Sequence, residues 1–242
     1  MSDDATLASR MTFDRIQLWY KSQAEYQKEL EKNRVPPPDG SDEELLAQHK
    51  VLAVSFYTPD YKKAAERLAG TLDSFSIPHD LVPIEGSGGD RAWYDALMQK
   101  ALFLLKMLDK HPDYETLVWL DSDGEMIRFP RLVWNIPAVI GVHYQSFKMP
   151  MDATVVVHQS SREVLKRWAE ESQIALDKGW NCPSQNALKV VLEQDRIEWI
   201  QLPRSYSVLW RWATGRPVDW AIFIHERWGR NSKIPTRNKG VR

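Results

Sequence analysis

The most constraining feature of this sequence is a short apolar run that ends in two closely spaced carboxylates. Residues 117–120 are four consecutive apolar residues, and Asp-Ser-Asp-Gly follows directly at 121–124. A continuous apolar run of this length is typical of a strand buried on both faces, as in a parallel sheet covered by helices. The run therefore predicts an α/β fold with Asp121 and Asp123 at the carboxyl end of a strand, where open α/β sheets hold ligands.

The spacing of these two carboxylates indicates a cation site. Side chains alternate along a strand, so Asp121 and Asp123 are expected to point the same way. Like charges aimed at one point repel each other unless a cation lies between them, and carboxylate oxygens suit Mg2+ or Mn2+. The alternative is a solvated turn, because Asp-Ser-Asp-Gly is also favourable turn chemistry.

Length and composition are those of a single-domain α/β protein. The 242 residues can bury a sizeable core, and 43% hydrophobic with 27% charged residues is ordinary for a soluble globular chain. No apolar run approaches the ~18 residues of a membrane span, and the acidic, polar N-terminus is unlike a signal peptide. The single cysteine, Cys182, excludes an intrachain disulfide. We therefore expect a cytoplasmic protein with no membrane span.

Charge is distributed unevenly, although the net charge is only −1. Residues 202–242 carry nine Arg and Lys against two acidic residues, whereas residues 1–48 carry six basic and ten acidic residues. A basic C-terminal region suggests phosphate groups as a ligand or partner.

The predicted elements divide the chain into an appendage, residues 1–48, and one domain, residues 49–242. Residues 1–34 are expected to be helical, residues 35–40 form a Pro-rich linker, and Ser41 with Glu44 makes a capping box for a short helix to Gln48. In the domain, we predict strands at 51–56, 81–84, 117–120, 138–142, 153–157, 197–200 and 222–225, and helices at 61–75, 92–109, 162–176 and 184–193. Ser160 or Ser161 is expected to cap the third of these helices. The order of elements predicts a largely parallel sheet with right-handed crossovers.

A series of motifs along the chain resembles, in its order, that of the GT-A fold nucleotide-diphospho-sugar transferases, especially their bacterial and phage branch. The resemblance spans roughly residues 50–235. Its parts are the strand and turn at 54–61, Trp93 with Lys100, Asp-Ser-Asp at 121–123, Trp180 with Ser-Gln-Asn-Ala-Leu at 184–188, Leu202-Pro203 with Tyr206, and His225 with Arg230 and Lys233. It implies a GT-A-like, Rossmann-type fold, with a mostly parallel central sheet flanked by helices and, here, an N-terminal helical arm. It also implies a glycosyltransferase, either a hexosyl- or a pentosyltransferase.

The resemblance assigns residues to a nucleotide-diphosphate sugar donor, a UDP-sugar being the first expectation. Asp121 and Asp123 would hold Mn2+ or Mg2+ with His225 as a third ligand, the alternative for His225 being a strand-end histidine bonded to the backbone. The predicted donor-binding residues are Phe56, Tyr57 and Thr58 for the nucleoside, with Trp93, Lys100, Ser122, Arg230 and Lys233 for the rest of the donor. Phe56 and Tyr57 could equally belong to the core, and Lys100 could snorkel to solvent.

One position departs from the family pattern. Family members often carry an acid just before the Gln that matches Gln185, and here that residue is Ser184. A hydroxyl with no base beside it cannot replace a carboxylate as a general base. The predicted catalytic group is therefore Gln185 with Asp152 or Asp95 as the acid, and the alternative is a reaction that uses no enzymic base.

The C-terminal part interleaves Trp and Arg, which suggests an acceptor with bases to stack and phosphates to neutralise. One hypothesis is a hydroxymethylated pyrimidine in phage DNA, flipped into the site of an enzyme that acts in the host cytoplasm. The alternatives are a glycan or lipid-linked acceptor, a nucleotide-sugar-binding protein with little transfer activity, and a metal-dependent phosphohydrolase.

Overall fold

A computed structural model describes residues 34–85, 92–145, 149–180, 182–194, 197–209 and 221–225. Its strands are β1 (Val51–Tyr57), β2 (His79–Pro83), β3 (Thr116–Leu120), β4 (Gly124–Met126), β5 (Ile140–Gln145), β6 (Met149–His158), β7 (Trp199–Gln201), β8 (Val208–Leu209) and β9 (Phe223–His225). Its α-helices are α1 (Asp42–Gln48), α2 (Lys62–Ser74), α3 (Ala92–Lys110), α4 (Arg162–Asp177) and α5 (Pro183–Gln194). The predicted helix over residues 1–34 lies almost entirely outside the described part.

Six strands form the main sheet in the order β2-β1-β3-β6-β5-β7. Neighbouring pairs β1–β2, β1–β3 and β5–β7 are parallel, whereas β6 is antiparallel to both β3 and β5. Five strands thus run in one direction, and the prediction of a mostly parallel α/β sheet flanked by helices is confirmed. The reversal of β6 follows from the short connection after β5, because only antiparallel neighbours can be joined by a hairpin.

Both faces of the sheet are buried, which explains the continuous apolar runs. All five residues of β3 are buried; Leu117 and Trp119 contribute to one apolar cluster and Val118 and Leu120 to the other. Helices α3, α4 and α5 contribute to the first cluster, and α1, α2 and the 3-10 segment Arg131–Asn135 contribute to the second. The central strands are therefore held between helical layers on both sides.

A second, three-stranded sheet in the order β4-β9-β8 was not fully anticipated. Only β9 was predicted, because β4 and β8 are three and two residues long and carry no readable periodicity. The register places Gly124 opposite His225. A Cβ at Gly124 would lie 2.1 Å from Cζ of Phe223, so this position needs a glycine for the two strands to approach.

The described part of the N-terminal appendage packs on the domain. The predicted capping box is confirmed: Ser41 N donates to Glu44 Oε2 (2.6 Å) and Glu44 N donates to Ser41 Oγ (3.2 Å). Leu45 of α1 is buried, and Arg131 bonds the carbonyls of Pro38 and Gly40. The boundary at residue 48 stays a prediction.

The predicted serine cap of α4 is confirmed in position, but the capping hydrogen bond is absent. Ser161 occupies the N-cap position, but its side chain makes no capping hydrogen bond. Its hydroxyl instead donates to Val139 O and accepts from His158 N, within the 3-10 turn Gln159–Ser161 that leads into the helix. The hydroxyl is already engaged, so it is not available to the first turn of the helix.

Across these described ranges, no helix combines the length and the apolar character that crossing a bilayer would require.

Candidate active site

The acidic turn, residues 121–123, directly follows the central strand β3. Asp121 N donates to Ala153 O (2.9 Å), and Gly124 N donates to Asp121 O (3.0 Å), which closes a turn between β3 and β4. Because these residues form a turn and do not continue the strand, strand alternation does not set the direction of the two carboxylates. The charges of both Asp123 and Asp121 nevertheless raise the pKa of one phenol, that of Tyr61, although burial raises it more.

Lys100 neutralises the first carboxylate of the acidic turn. Its Nζ lies 2.8 Å from Asp121 Oδ1, the same oxygen that accepts the indole N–H of Trp119 (2.9 Å). The side chain is only 4% exposed, so it does not snorkel to solvent. Burial alone would lower the pKa of Lys100, but Asp121 and Asp152 outweigh burial and raise the pKa above its usual value. Lys100 is therefore an ammonium group directed at carboxylates.

Asp152 connects Lys100 to the start of α5. Its Oδ2 lies 3.3 Å from Lys100 Nζ and accepts the hydroxyl of Ser184 (2.7 Å). Its Oδ1 accepts Gln185 Nε2 (3.1 Å), and its main-chain oxygen accepts Lys100 Nζ (3.0 Å). Two of the predicted catalytic residues, Asp152 and Gln185, thus lie in direct contact. The indole of buried Trp168, which the sequence did not single out, donates to Ser184 O (2.9 Å) and fixes this helix start.

The end of β1 contains the predicted nucleoside-binding residues. Phe56 is buried, with its ring centroid 5.2 Å from Phe103 and 4.9 Å from Trp119, so it belongs to the core. Tyr57 and Thr58 are half-buried at the carboxyl end of the strand. Phe56 is thus occupied by core packing, and the base-stacking role predicted for Tyr57 stays a prediction.

Two further residues at the acidic turn, Tyr61 and Arg67, were given no role by the sequence analysis. The pKa of half-buried Tyr61 is raised first by burial, then by the charges of Asp123 and Asp121, and least by Asp60. Arg67 of α2 lies 2.8 Å from Glu125 Oε1 through its Nε, and its guanidinium donates to Asp123 O at 3.5 Å. In the sequence, helical spacing identifies Arg67 only as a surface position. Its contacts with Glu125 and Asp123 depend on how α2 packs against β4.

The acidic turn has the right chemistry for a divalent cation. The described contacts of Lys100 and Trp119 with Asp121 are both made to its Oδ1. The Oδ2 atom of Asp121 and the carboxylate of Asp123 are hard oxygen donors, the type that Mn2+ and Mg2+ prefer. Strand register brings the backbone of His225 beside Gly124. Within the described residues, no group of three His, Cys, Asp or Glu is arranged to hold a metal ion.

Several predicted residues fall outside the described part of the structure. The side chains of Trp93, Asp95 and His225 and the whole of Arg230 and Lys233 are among them. Ser122 is half-buried within the acidic turn. The roles predicted for these residues stay predictions.

The fold is similar to that of a solved glycosyltransferase structure. A crystal structure of a glycosyltransferase involved in the glycosylation of the major capsid of PBCV-1 superposes with a TM-score of 0.54 at 16% identity, over 72% of this chain and 91% of that one. The chain has a GT-A-like glycosyltransferase fold. The galactosyltransferase LgtC, solved with donor and acceptor sugar analogues, aligns with a TM-score of 0.49 at 9% identity over 74% of this chain and 90% of that one.

Comparison of the sequence with known proteins identifies no family. No family model matches the chain, and no curated protein matches it. In a GT-A-like fold, the acidic turn at the carboxyl end of β3 is at the edge of the sheet where α/β proteins bind ligands. The sequence resemblance and the fold therefore point to the same edge.

Proposed function

We propose that the protein is a metal-dependent glycosyltransferase that moves a sugar from a nucleotide-diphosphate donor, a UDP-sugar in the first instance, to an acceptor hydroxyl. The observation that supports this most directly is the acidic turn with Asp121 and Asp123, placed at the carboxyl end of the central strand of a GT-A-like fold. That edge also holds Tyr57 and Thr58, at the end of β1 next to β3.

The roles we assign follow from charge. The departing nucleoside diphosphate carries negative charge, and a divalent cation, when bound, supplies positive charge that stabilises it. Asp121 and Asp123, with His225 as the third ligand, hold that cation, and Lys100 keeps Asp121 oriented through its 2.8 Å contact. Tyr57 stacks on the base.

The remaining predicted donor contacts lie around this centre. Thr58 bonds the edge of the base and Trp93 lines the donor site. Arg230 and Lys233 bind the diphosphate oxygens, Arg230 in bidentate fashion. Ser122 offers a hydroxyl from within the acidic turn.

For the acceptor, we propose a hydroxymethylated pyrimidine in DNA. This rests on the nine Arg and Lys of residues 202–242 and the Trp residues between them, which suit stacked bases and phosphates. A glycan or lipid-linked hydroxyl is the alternative acceptor.

A nucleotide-sugar-binding protein with weak or no transfer activity is the second candidate function. It is favoured by the absence of an acid at Ser184 and by the burial of Asp152, which is only 3% exposed. Asp95 is then the other carboxylate that the sequence offers as a base.

Thermal denaturation with UDP, GDP, CDP and ADP, each with and without Mn2+, tests the donor site. We expect one nucleotide to raise the melting temperature only when the metal is present, with the shift lost in Asp123→Asn and retained in Asp113→Asn. Asp113 is an exposed carboxylate that precedes β3, whereas the acidic turn follows this strand. If no nucleotide raises it with metal present, the proposed function fails.

Donor consumption separates the two candidate functions. Without an acceptor, an enzyme slowly hydrolyses the bound sugar nucleotide. With hydroxymethylated DNA or a glycan it transfers the sugar to the acceptor hydroxyl and releases the nucleoside diphosphate faster. A binding protein shows the thermal shift and leaves the donor intact. The acceptor that raises the rate decides between nucleic acid and carbohydrate.

A further inference from the structure

Four polar side chains from three elements form one hydrogen-bonded network next to the acidic turn. Lys100 of α3, Asp152 of β6 and Ser184 of α5 are 3%, 3% and 1% exposed, whereas Gln185 is half-buried. Within this group of four, Gln185 is therefore the member through which the network reaches the protein surface.

The contacts of Asp152 do not suit a general base. Its Oδ1 accepts from Gln185, and its Oδ2 accepts from Ser184 and lies beside the Lys100 ammonium. A base must have a lone pair within hydrogen-bond reach of the proton that it removes from a substrate. Both oxygens of Asp152 face protein donors in a buried position, an arrangement that fixes the neighbouring side chains.

The amide of Gln185 has a defined orientation as a result. A carboxylate oxygen accepts hydrogen bonds and cannot donate them, so the amide atom 3.1 Å from Asp152 Oδ1 is Nε2. The amide oxygen, Oε1, is the other terminal atom of the group and is not the atom that Asp152 Oδ1 holds. The network thus presents an acceptor atom from a half-buried residue at the start of α5.

We infer that Asp152 is a positioning residue for sugar recognition: it holds Gln185 so that Oε1 accepts a hydroxyl of the donor sugar, and it ties this contact through Lys100 to Asp121. The inference rests on the proposed function and goes further, because it assigns the sugar contact and the nucleotide contact to different residues. Loss of Asp152 or Gln185 should weaken binding of the sugar and spare binding of the nucleoside diphosphate.

Isothermal titration of the full chain tests this separation. UDP-glucose, UDP-galactose and GDP-mannose are each titrated beside UDP or GDP, and the sugar nucleotide that wild type binds is then used with every variant. In Gln185→Leu and in Asp152→Asn we expect the Kd of the sugar nucleotide to rise about tenfold, with the Kd of the diphosphate unchanged within about twofold. Gln173→Leu and Asp177→Asn, exposed positions on α4, serve as matched controls that retain both affinities.

The double variant shows whether the two residues act together. Because Asp152 works through Gln185, the effects on sugar-nucleotide affinity should be non-additive, so that Asp152→Asn with Gln185→Leu is no worse than either single change. Additive effects would show that Asp152 acts independently of Gln185, and a fall in kcat with unchanged affinity in Asp152→Asn would identify Asp152 as a base. Either result overturns the inference.

Two further outcomes are decisive. Equal loss of sugar-nucleotide and diphosphate affinity in Gln185→Leu overturns the separation of roles. Because Gln185 is half-buried, this variant keeps the test valid even if Asp152→Asn fails to fold. If wild type binds neither the sugar nucleotides nor the diphosphates, the proposed function itself fails, which is a different result from failure of the inference.

Discussion

At the scale of single residues, the site depends on one lysine that serves two acids. Lys100 lies 2.8 Å from Asp121 and 3.3 Å from Asp152, with its Nζ 5.3 Å from the centroid of the Trp119 ring. Helical spacing identifies Lys100 as a cation on an otherwise apolar helix, and the strand pattern identifies Asp121. That the two meet depends on how α3 crosses the sheet, which the sequence alone does not show.

We expect Lys100→Met to destabilise the fold by about 3–5 kcal/mol, because it leaves two carboxylates close together without a buried cation. Denaturant unfolding monitored by tryptophan fluorescence measures the loss. Lys106→Met, an exposed position on the same helix, is the matched control and should stay within about 0.5 kcal/mol of wild type. Equal stability of the two variants would show that the ion pairs contribute nothing.

At the scale of elements, two contacts were not predicted: a buried ion pair within α5 and the packing of β4 against Phe223 of β9. In α5, Lys189 and Glu193 are four residues apart, and their side chains are 1% and 6% exposed. Lys189 Nζ lies 3.6 Å from Glu193 Oε1, which also accepts the hydroxyl of Tyr144 (3.1 Å). In the second sheet, Gly124 lets β4 lie against the ring of Phe223. Neither contact is visible in the sequence, since each joins segments far apart in the chain or depends on which face of the helix is buried.

Glu193 should make stability fall as pH rises from about 4.5 to about 7. Burial, opposed by Lys189 and Tyr144, raises the pKa of Glu193 to about 7. The folded state therefore binds the proton more tightly, and stability present below pH 4.5 is lost as pH rises through 7. Across this pH range, the contribution of Glu193 to the free energy of unfolding should fall by about 3 kcal/mol.

The paired variant Lys189→Met with Glu193→Gln removes both charges and tests this assignment. Urea unfolding at several pH values should show that the variant gains stability relative to wild type between pH 4.5 and 7. A difference between the two proteins that is constant across this range would refute the assignment.

Gly124→Ala should destabilise the protein by about 1–3 kcal/mol, because the added methyl overlaps the Phe223 ring. Gly70→Ala is the control, since nothing lies within 4 Å of a Cβ there and the position is helical. Alanine is a better helix former, so this change should add about 0.5–1 kcal/mol. A melting temperature of Gly124→Ala equal to that of wild type would contradict the packing described here.

At the scale of the whole molecule, one arginine fastens the N-terminal segment to the domain. Arg131 pairs with Asp42 and bonds the carbonyls of Pro38 and Gly40, while Asn135 bonds the carbonyl of Pro36 (3.4 Å). These contacts join a Pro-rich segment, which has few hydrogen bonds of its own, to the 3-10 segment Arg131–Asn135.

Arg131→Met should release residues 34–42 and make them sensitive to limited proteolysis. The rate of cleavage in this segment, followed by mass spectrometry, is expected to rise several-fold, because the arginine supplies its ion pair and two of its backbone contacts. Arg128→Met, an exposed neighbour, should leave the rate unchanged. Unchanged cleavage in Arg131→Met would show that the segment is held by other contacts.

The sequence predicted those parts of the fold that have a local cause. Strand β3 was readable because burial on both faces requires a continuous apolar run, and α1 because its capping box lies within four residues. The reversal of β6, the brief strands β4 and β8, and the meeting of Asp152 with Ser184 and Gln185 were not readable. Each depends on contacts between distant segments, and local propensity carries no signal for them.

The reversal of β6 has a consequence for how such a protein can change. Because β6 runs against its neighbours, Asp152 lies early in this strand and yet at the edge where the parallel strands end, so a hairpin places the residue there without a helical crossover. Connections between elements tolerate exchange and changes in length better than the elements that they join. Replacing the connection between β5 and β6 is therefore a way to change the surroundings of Asp152 that leaves the strand carrying the acidic turn in place.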